Sequence, residues 1–434
     1  MRERIKSIVL ILLVLSSLYL TNCLVFGQPS LETADSPQYE QLTFGELKPI
    51  QEQILPLLRL QKEDAVYEQA PWLPHYGEAW QRARQLLQPG LLPEKSDPPG
   101  ILTGLKVEIE FLTEVDPTLW FASTMLKDHL VQTVVWYAAH DDVMWFLDQN
   151  EQWWRAGGLI LPDGWLNRLE VAFSAGQVYR LARLEETDLL KFPAQGILVP
   201  REVPVMNRYT LAPEPLDYDK LLHSMFVNMA TVRRIEERNG ARIYTDGQRG
   251  LQIFPYGELE YTIPENEMGT RPLTIIELLK DTAQYLHLLG GWSDHLYLKS
   301  IKTNRQAFEN SRYFYTHEIA FQTVQKGFTL VGSAPISIVC SEKGIVSYNR
   351  QVYLLATPVG EAMPLISPEE AVAAAGDWWR LQAGNDNLLS LYPVYYVDNV
   401  NQVQPFAQPA WLFRFENRQA VVDGYTGKFI KWLE

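Results

Sequence analysis

Residues 241–263 read ARIYTDGQRGLQIFPYGELEYTI. Three β-prone runs, 241–245, 251–254 and 259–263, are separated by Asp246-Gly247 and by a second turn at Gly257. Asp-Gly marks a tight hairpin, because glycine takes a positive φ without a Cβ clash. The stretch therefore predicts an antiparallel meander with Tyr244 and Leu251 placing adjacent strands. Just upstream, 232–236 reads as a further strand, and Asp217 suits the cap of a helix over 218–226. Downstream, Pro272 opens a helix over 273–289 and Gly290-Gly291 stops it.

Strands are expected next around 295–303, 312–322, 329–330, 336–340 and 345–355. Ser367-Pro368-Glu369-Glu370 has the form of a helix start, with Ser367 as cap and Glu370 three residues on. Runs at 391–397, 410–415 and 420–422 close the chain as strands. Toward the amino end, Val107, Ile109 and Phe111 alternate with Lys106, Glu108 and Glu110, the two-residue period of a strand. Asp116-Pro117 then predicts a helix over 118–130. A strand at 133–137, a short helix at 142–152 and paired strands at 168–173 and 177–184 follow. Prolines 200, 204, 213 and 215 read as a linker or interrupted edges. Helices alternate with antiparallel strand groups and no βαβ dinucleotide pattern occurs, so the expected class is α+β.

The chain has 434 residues, enough for two to four domains at about 150 residues each. Its net charge of -14 argues against a broad nucleic-acid grip, which needs a concentrated basic footprint. Only Cys23 and Cys340 are present, so neither a disulfide framework nor a Cys/His zinc pattern exists.

At the amino end, Arg2, Arg4 and Lys6 precede IVLILLVLSSLYLTNCLVF at 8–26, 19 residues without a charge. As a helix this run spans about 28 Å, close to the hydrocarbon thickness of a bilayer. The expectation is a single-pass anchor, with Ile8, Leu12, Ser16, Ser17, Leu20 and Phe26 in the bilayer. The basic end would be cytoplasmic and the rest outside. Ordinary cleavage lacks an Ala-x-Ala site, and lipoprotein processing at Cys23 meets the large Asn22 where a small residue belongs. The expected division is 1–28 tip and anchor, 29–199, 200–271 with the meander, and 272–434.

Few residues invite chemistry. Glu108 and Glu110 share one strand face about 7 Å apart, a spacing for an acid–base pair or a cation, and equally for a solvated face. His140-Asp141-Asp142, with His129 upstream, offers ligands in no recognised metal spacing. Cys340 lies in an apolar β-prone run, where burial makes a thiol inert. Arg233, Arg234, Arg238 and Arg242 form a basic cluster interrupted by Glu236 and Glu237, which fits an acidic partner or an anionic polymer. No catalytic residue, metal or cofactor is assigned.

Met1 to Ile8 with its apolar run, Leu221-Leu222-His223-Ser224-Met225-Phe226, and the section from Ala241 through Tyr244, Asp246, Gly247, Arg249 and Leu251 to Tyr261 resemble the YycH-type regulatory proteins. The end, from Trp411 through Asp423, Gly424 and Tyr425 to Gly427, resembles that shared with YycI-type proteins. The resemblance implies a non-enzymatic, extracytoplasmic modulator of a WalK/YycG-type sensor histidine kinase in cell-wall control, its carboxy-terminal part YycI-like. It also implies a YycI-like partner and leaves room for a homodimer. An envelope-binding scaffold for a cell-wall polymer or peptide is the alternative reading.

Overall fold

A computed structural model describes residues 42–88, 91–100, 104–119, 130–183, 192–193, 196–226, 228–263, 269–308, 312–332, 334–375, 386–398 and 405–433. The meander sits where its turns place it: Arg242–Thr245, Gly250–Ile253 and Leu259–Thr262 pair antiparallel in succession. Arg233–Glu236 joins one side of this meander and Gly344–Arg350 the other. Ile336–Ser341, Arg312–Gln325 and Leu296–Phe308 continue the same antiparallel order. The helices Tyr218–Met225 and Ile275–Leu288 bury Leu221, Leu222, Leu278 and Leu286 in the core with Leu251, Tyr261 and Tyr348. Thr274 and Glu277 close a capping box at the start of the longer helix.

An amino-terminal sheet runs, again antiparallel, through Gln177–Ala182, Ala65–Gln69, Leu57–Lys62, Lys106–Val115, Val131–Tyr137, Val143–Asp148, Trp153–Gly157 and Leu92–Lys95. Helices Tyr76–Ala83 and Trp165–Phe173 cover one of its faces, with Trp80 edge-on to Phe111 and Trp136 edge-on to Trp165. This sheet and the meander share one apolar cluster. A second cluster gathers around Trp411, Phe413 and Phe415, on Leu388–Asp398, Phe406–Phe415, Gln419–Asp423 and Phe429–Leu433. Val205–Pro213, read from its prolines as a linker or interrupted edge, is a strand between Phe406–Phe415 and Tyr353–Pro364.

Two local expectations change. Residues 143–148 form a strand rather than a helix, because Val143, Met144, Trp145 and Phe146 are buried between two flanking strands. Residues 165–173 form a helix, since Trp165, Leu169, Ala172 and Phe173 fall on one face at helical spacing. From 120 to 129 the helix expected over 118–130 lies outside the described residues; ahead of that stretch Pro117–Leu119 forms a 3-10 turn, with Asp116 accepting from the Thr118 amide.

The membrane reading is also corrected. Among the described residues no helix is long and apolar enough to cross a membrane. The longest, Ile275–Leu288, has 14 residues, about 21 Å against a hydrocarbon slab of about 30 Å. The supported class is α+β with antiparallel sheets and short helices, and the single-pass topology with its localisation is not carried forward. Arg2, Arg4, Lys6, Ile8, Leu12, Ser16, Ser17, Leu20 and Phe26 lie outside the described residues.

Candidate functional site

The polar face of the amino-terminal sheet carries the most concentrated chemistry. In Leu57–Lys62 the leucines at 58 and 60 enter the core, so Arg59 between them must point the other way. Register places Glu68 directly opposite Arg59 on one side and Glu108 opposite it on the other. Glu110, two residues beyond Glu108, shares that face. Arg59 Nε donates to Glu68 at 3.0 Å, and Nη1 donates to Glu108 at 2.9 Å and to Glu110 at 2.6 Å.

Leu388–Asp398 and Phe406–Phe415, joined to the amino-terminal strands through Ile197–Pro200, meet this face. Ser390 pairs opposite Arg414 and Tyr392 opposite Leu412, so Ser390, Tyr392 and Arg414 point together while Leu391 and Phe413 fill the second cluster. Arg414 Nη2 donates to Glu110 at 2.8 Å. Tyr392 Oη accepts from Arg59 Nη2 at 3.2 Å and donates to Glu68 at 3.3 Å. Lys106 completes the set as a donor to Glu108. Arg59, Lys106 and Arg414 thus balance Glu68, Glu108 and Glu110.

Burial alone would raise all three carboxyls. At Glu110 the charges of Arg59 and Arg414 overcome it and hold the group down at about 2. At Glu108 burial is likewise outweighed, by Lys106 and Arg59, and its value is lowered. Glu68 is the exception: its burial dominates over Arg59 and raises it. Glu108 and Glu110 are therefore neither a solvated face nor an acid–base pair with one proton to share, because a cation holds each one ionised.

A cavity of about 320 Å³ opens over this set, lined by Arg59, Glu108, Glu110 and Arg414 and, among its apolar residues, by Leu181, Leu198 and Leu389. Beyond Lys106 and Glu108 a hollow of about 440 Å³ continues along the sheet, past Thr133, Tyr137 and Trp153.

The other candidates separate. Among the described residues no cluster of three or more ligand side chains could hold a metal ion. His140, Asp141 and Asp142 are exposed at a turn, where His140 packs edge-on to Trp145, and His129 lies outside the described residues. Cys340 is buried and its thiol is pushed up to about 12, mainly by that burial. Arg234 pairs with Glu236 on the exposed strand Arg233–Glu236, and Arg242 lies opposite Glu236, so the basic residues do not converge on one point.

The motif residues hold turns and joints. Asp246 accepts from the Gln248 and Arg249 amides at 2.9 Å each, and Gly247 turns with φ +93°. Arg249 donates to the Met225 carbonyl at 2.9 Å, fixing the helix end against the meander, where Tyr244, Leu251 and Tyr261 are buried. Near the carboxy end Asp423 accepts from the Tyr425 and Thr426 amides, and Trp411 Nε1 donates to the Ile366 carbonyl. Tyr425 Oη donates to Met206 O at 2.7 Å. Gly424 lies against Leu365 and Pro409, and Gly427 against Ala374. Sequence reasoning missed Arg59, Glu68, Tyr392 and Arg414; the one local signal was a charge set between two leucines in Leu-Arg-Leu at 58–60.

Residues 194–428 match the family model described as YycH protein, C-terminal domain. The fold is similar to the crystal structure of YycH from Bacillus subtilis, with TM-score 0.59 and 14% identity, covering 87% of this chain and 97% of that one. An uncharacterized protein from Eubacterium rectale aligns with TM-score 0.38 and 11% identity over 59% of this chain and 94% of that one. The Bacillus megaterium YpeB C-terminal domain aligns with TM-score 0.31 and 12% identity over 51% of this chain and 98% of that one. No curated protein sequence matches the chain.

Proposed function

This chain belongs to the YycH family, and from that premise we propose that it modulates a WalK/YycG-type sensor histidine kinase by direct contact, in an assembly with a YycI-like protein. It is a non-enzymatic regulatory protein of the YycH type, acting in a WalK/YycG-type two-component system that controls cell-wall metabolism. The observation that carries the proposal is the family match across 194–428, the part that holds the meander and the closing strands. The site chemistry agrees with it: carboxylates each tied to a cation suit a surface that binds and transmits better than one that moves protons.

Phosphorylation of the purified kinase is to be measured with and without the chain, alone and with the YycI-like protein. We expect a change in phosphorylation rate that saturates with added chain, and co-purification of the three components. An unchanged rate together with no co-purification, all components being folded, refutes the reading. Light scattering on the chain alone and in the mixture separates a homodimer from the mixed assembly.

A further inference from the structure

We propose that the cavity over Arg59 and Arg414 binds a zwitterion with an apolar side chain, of the size of a free amino acid or a dipeptide. It deepens the regulatory reading and rests on it for the consequence of binding, while the binding itself rests on the geometry of the cavity.

Size comes first. At about 320 Å³ the cavity is roughly twice the volume, about 150 Å³, of a dry protein cavity that admits benzene. That also places it at the lower end of ligand pockets, which begin near 300 Å³.

The walls are of two kinds. Val66, Leu181, Pro193, Leu198 and Leu389 supply apolar surface, and Arg59, Lys106, Glu108, Glu110 and Arg414 supply the charges. Glu68, which does not line the cavity but accepts from Arg59 Nε, brings the anions to three against three cations, so the set has no net charge and a simple anion or a simple cation gains no overall attraction. A molecule bearing both charges is matched at both ends.

Hydrogen-bonding capacity remains for both ends. Arg414 is 37% exposed, and its one side-chain hydrogen bond among the described residues runs from Nη2 to Glu110. A guanidinium has five N–H donors, so the rest are available to a carboxylate. Lys106, bonded to Glu108, keeps donors of its own. Each oxygen of Glu108 and Glu110 accepts one bond, from Arg59, Lys106 or Arg414. Carboxylate oxygens have two lone-pair sites, which leaves acceptors for an ammonium group. A bound zwitterion would thus bridge the amino-terminal sheet and the strands that carry Ser390 and Arg414.

The test is calorimetric titration of the full chain with L-leucine and with Leu-Leu. Blocked probes N-acetyl-leucine and leucinamide are run alongside. The expected result is one saturable site for at least one zwitterion, with both blocked forms weaker by about tenfold or more. Arg414→Lys keeps the charge and loses the planar fork, and is expected to weaken binding about tenfold. Leu198→Trp fills the cavity and abolishes binding, with circular dichroism and melting confirming that each variant is folded. Absence of saturable heat for both zwitterions up to about 10 mM overturns the proposal, and so does equal binding of the blocked forms. If L-leucine binds but leaves the kinase's response to the chain unchanged, the site stands and its regulatory consequence falls.

Discussion

Replacing Glu110 by glutamine tests the buried charge set most directly, because Glu110→Gln imitates the protonated carboxyl at nearly constant volume. The wild-type carboxyl is lowered from 4.5 to about 2, chiefly by Arg59 and Arg414 working against burial. A drop of that size corresponds to about 3 kcal/mol of preference for the charged form in the folded protein. Glu110 is only 17% exposed, so solvent screening removes little of this. The folded value lies below the unfolded one, so the stabilisation is complete above 4.5 and is lost as the pH falls through about 2. The variant should therefore cost about 3 kcal/mol near pH 7 but only about 1.4 kcal/mol near pH 3. Urea unfolding followed by tryptophan fluorescence, at both pH values and in both proteins, gives the two differences. A loss below about 1 kcal/mol near pH 7, or one that does not shrink in acid, refutes the account of the cluster.

Gly424→Ala places a Cβ 2.8 Å from Leu365 Cδ2 and 2.9 Å from the Pro409 carbonyl, and should cost about 1–3 kcal/mol by denaturant melts. Gly247→Ala meets no atom within 4 Å and suffers only from its φ of +93°, so about 1–2 kcal/mol is expected there. Tyr425→Phe removes the bond to Met206 O and should lower stability by about 1 kcal/mol, measured the same way. His317 accepts from the Leu273 amide at Nε2 and lies against Thr303 at Nδ1, and burial lowers it below 6.5. Its folded value being the lower one, it should erode stability as the pH falls below 6.5. His317→Gln should flatten that part of a stability-versus-pH curve.

What was legible in the sequence was local. Asp246-Gly247 fixes its hairpin through the backbone of two residues, and Ser367 with Glu370 caps its helix within one turn. The run at 143–148 was not legible, because five consecutive apolar residues fit a buried helix or a buried strand equally well. The strands on either side of it decide, and they are a tertiary fact. At 165–173 the helical spacing was present, but the nearby Gly176 and the following β-prone run suggested a hairpin. The candidate site shows the same limit. Glu108 and Glu110 announced a shared face, whereas Arg59 is 49 residues from Glu108 and Arg414 is 304 from Glu110. Register and the order of strands far apart in the chain join them, and neither is written in any short window.

That separation has a consequence for biosynthesis. At about 5–20 residues per second, the 304 positions between Glu110 and Arg414 take about 15–60 s to translate. Once Ala182 has completed the amino-terminal sheet, and for the rest of that interval, the sheet holds three glutamates against only Arg59 and Lys106. Its polar side is left wet and one negative charge in excess until the ribosome has delivered the last strands.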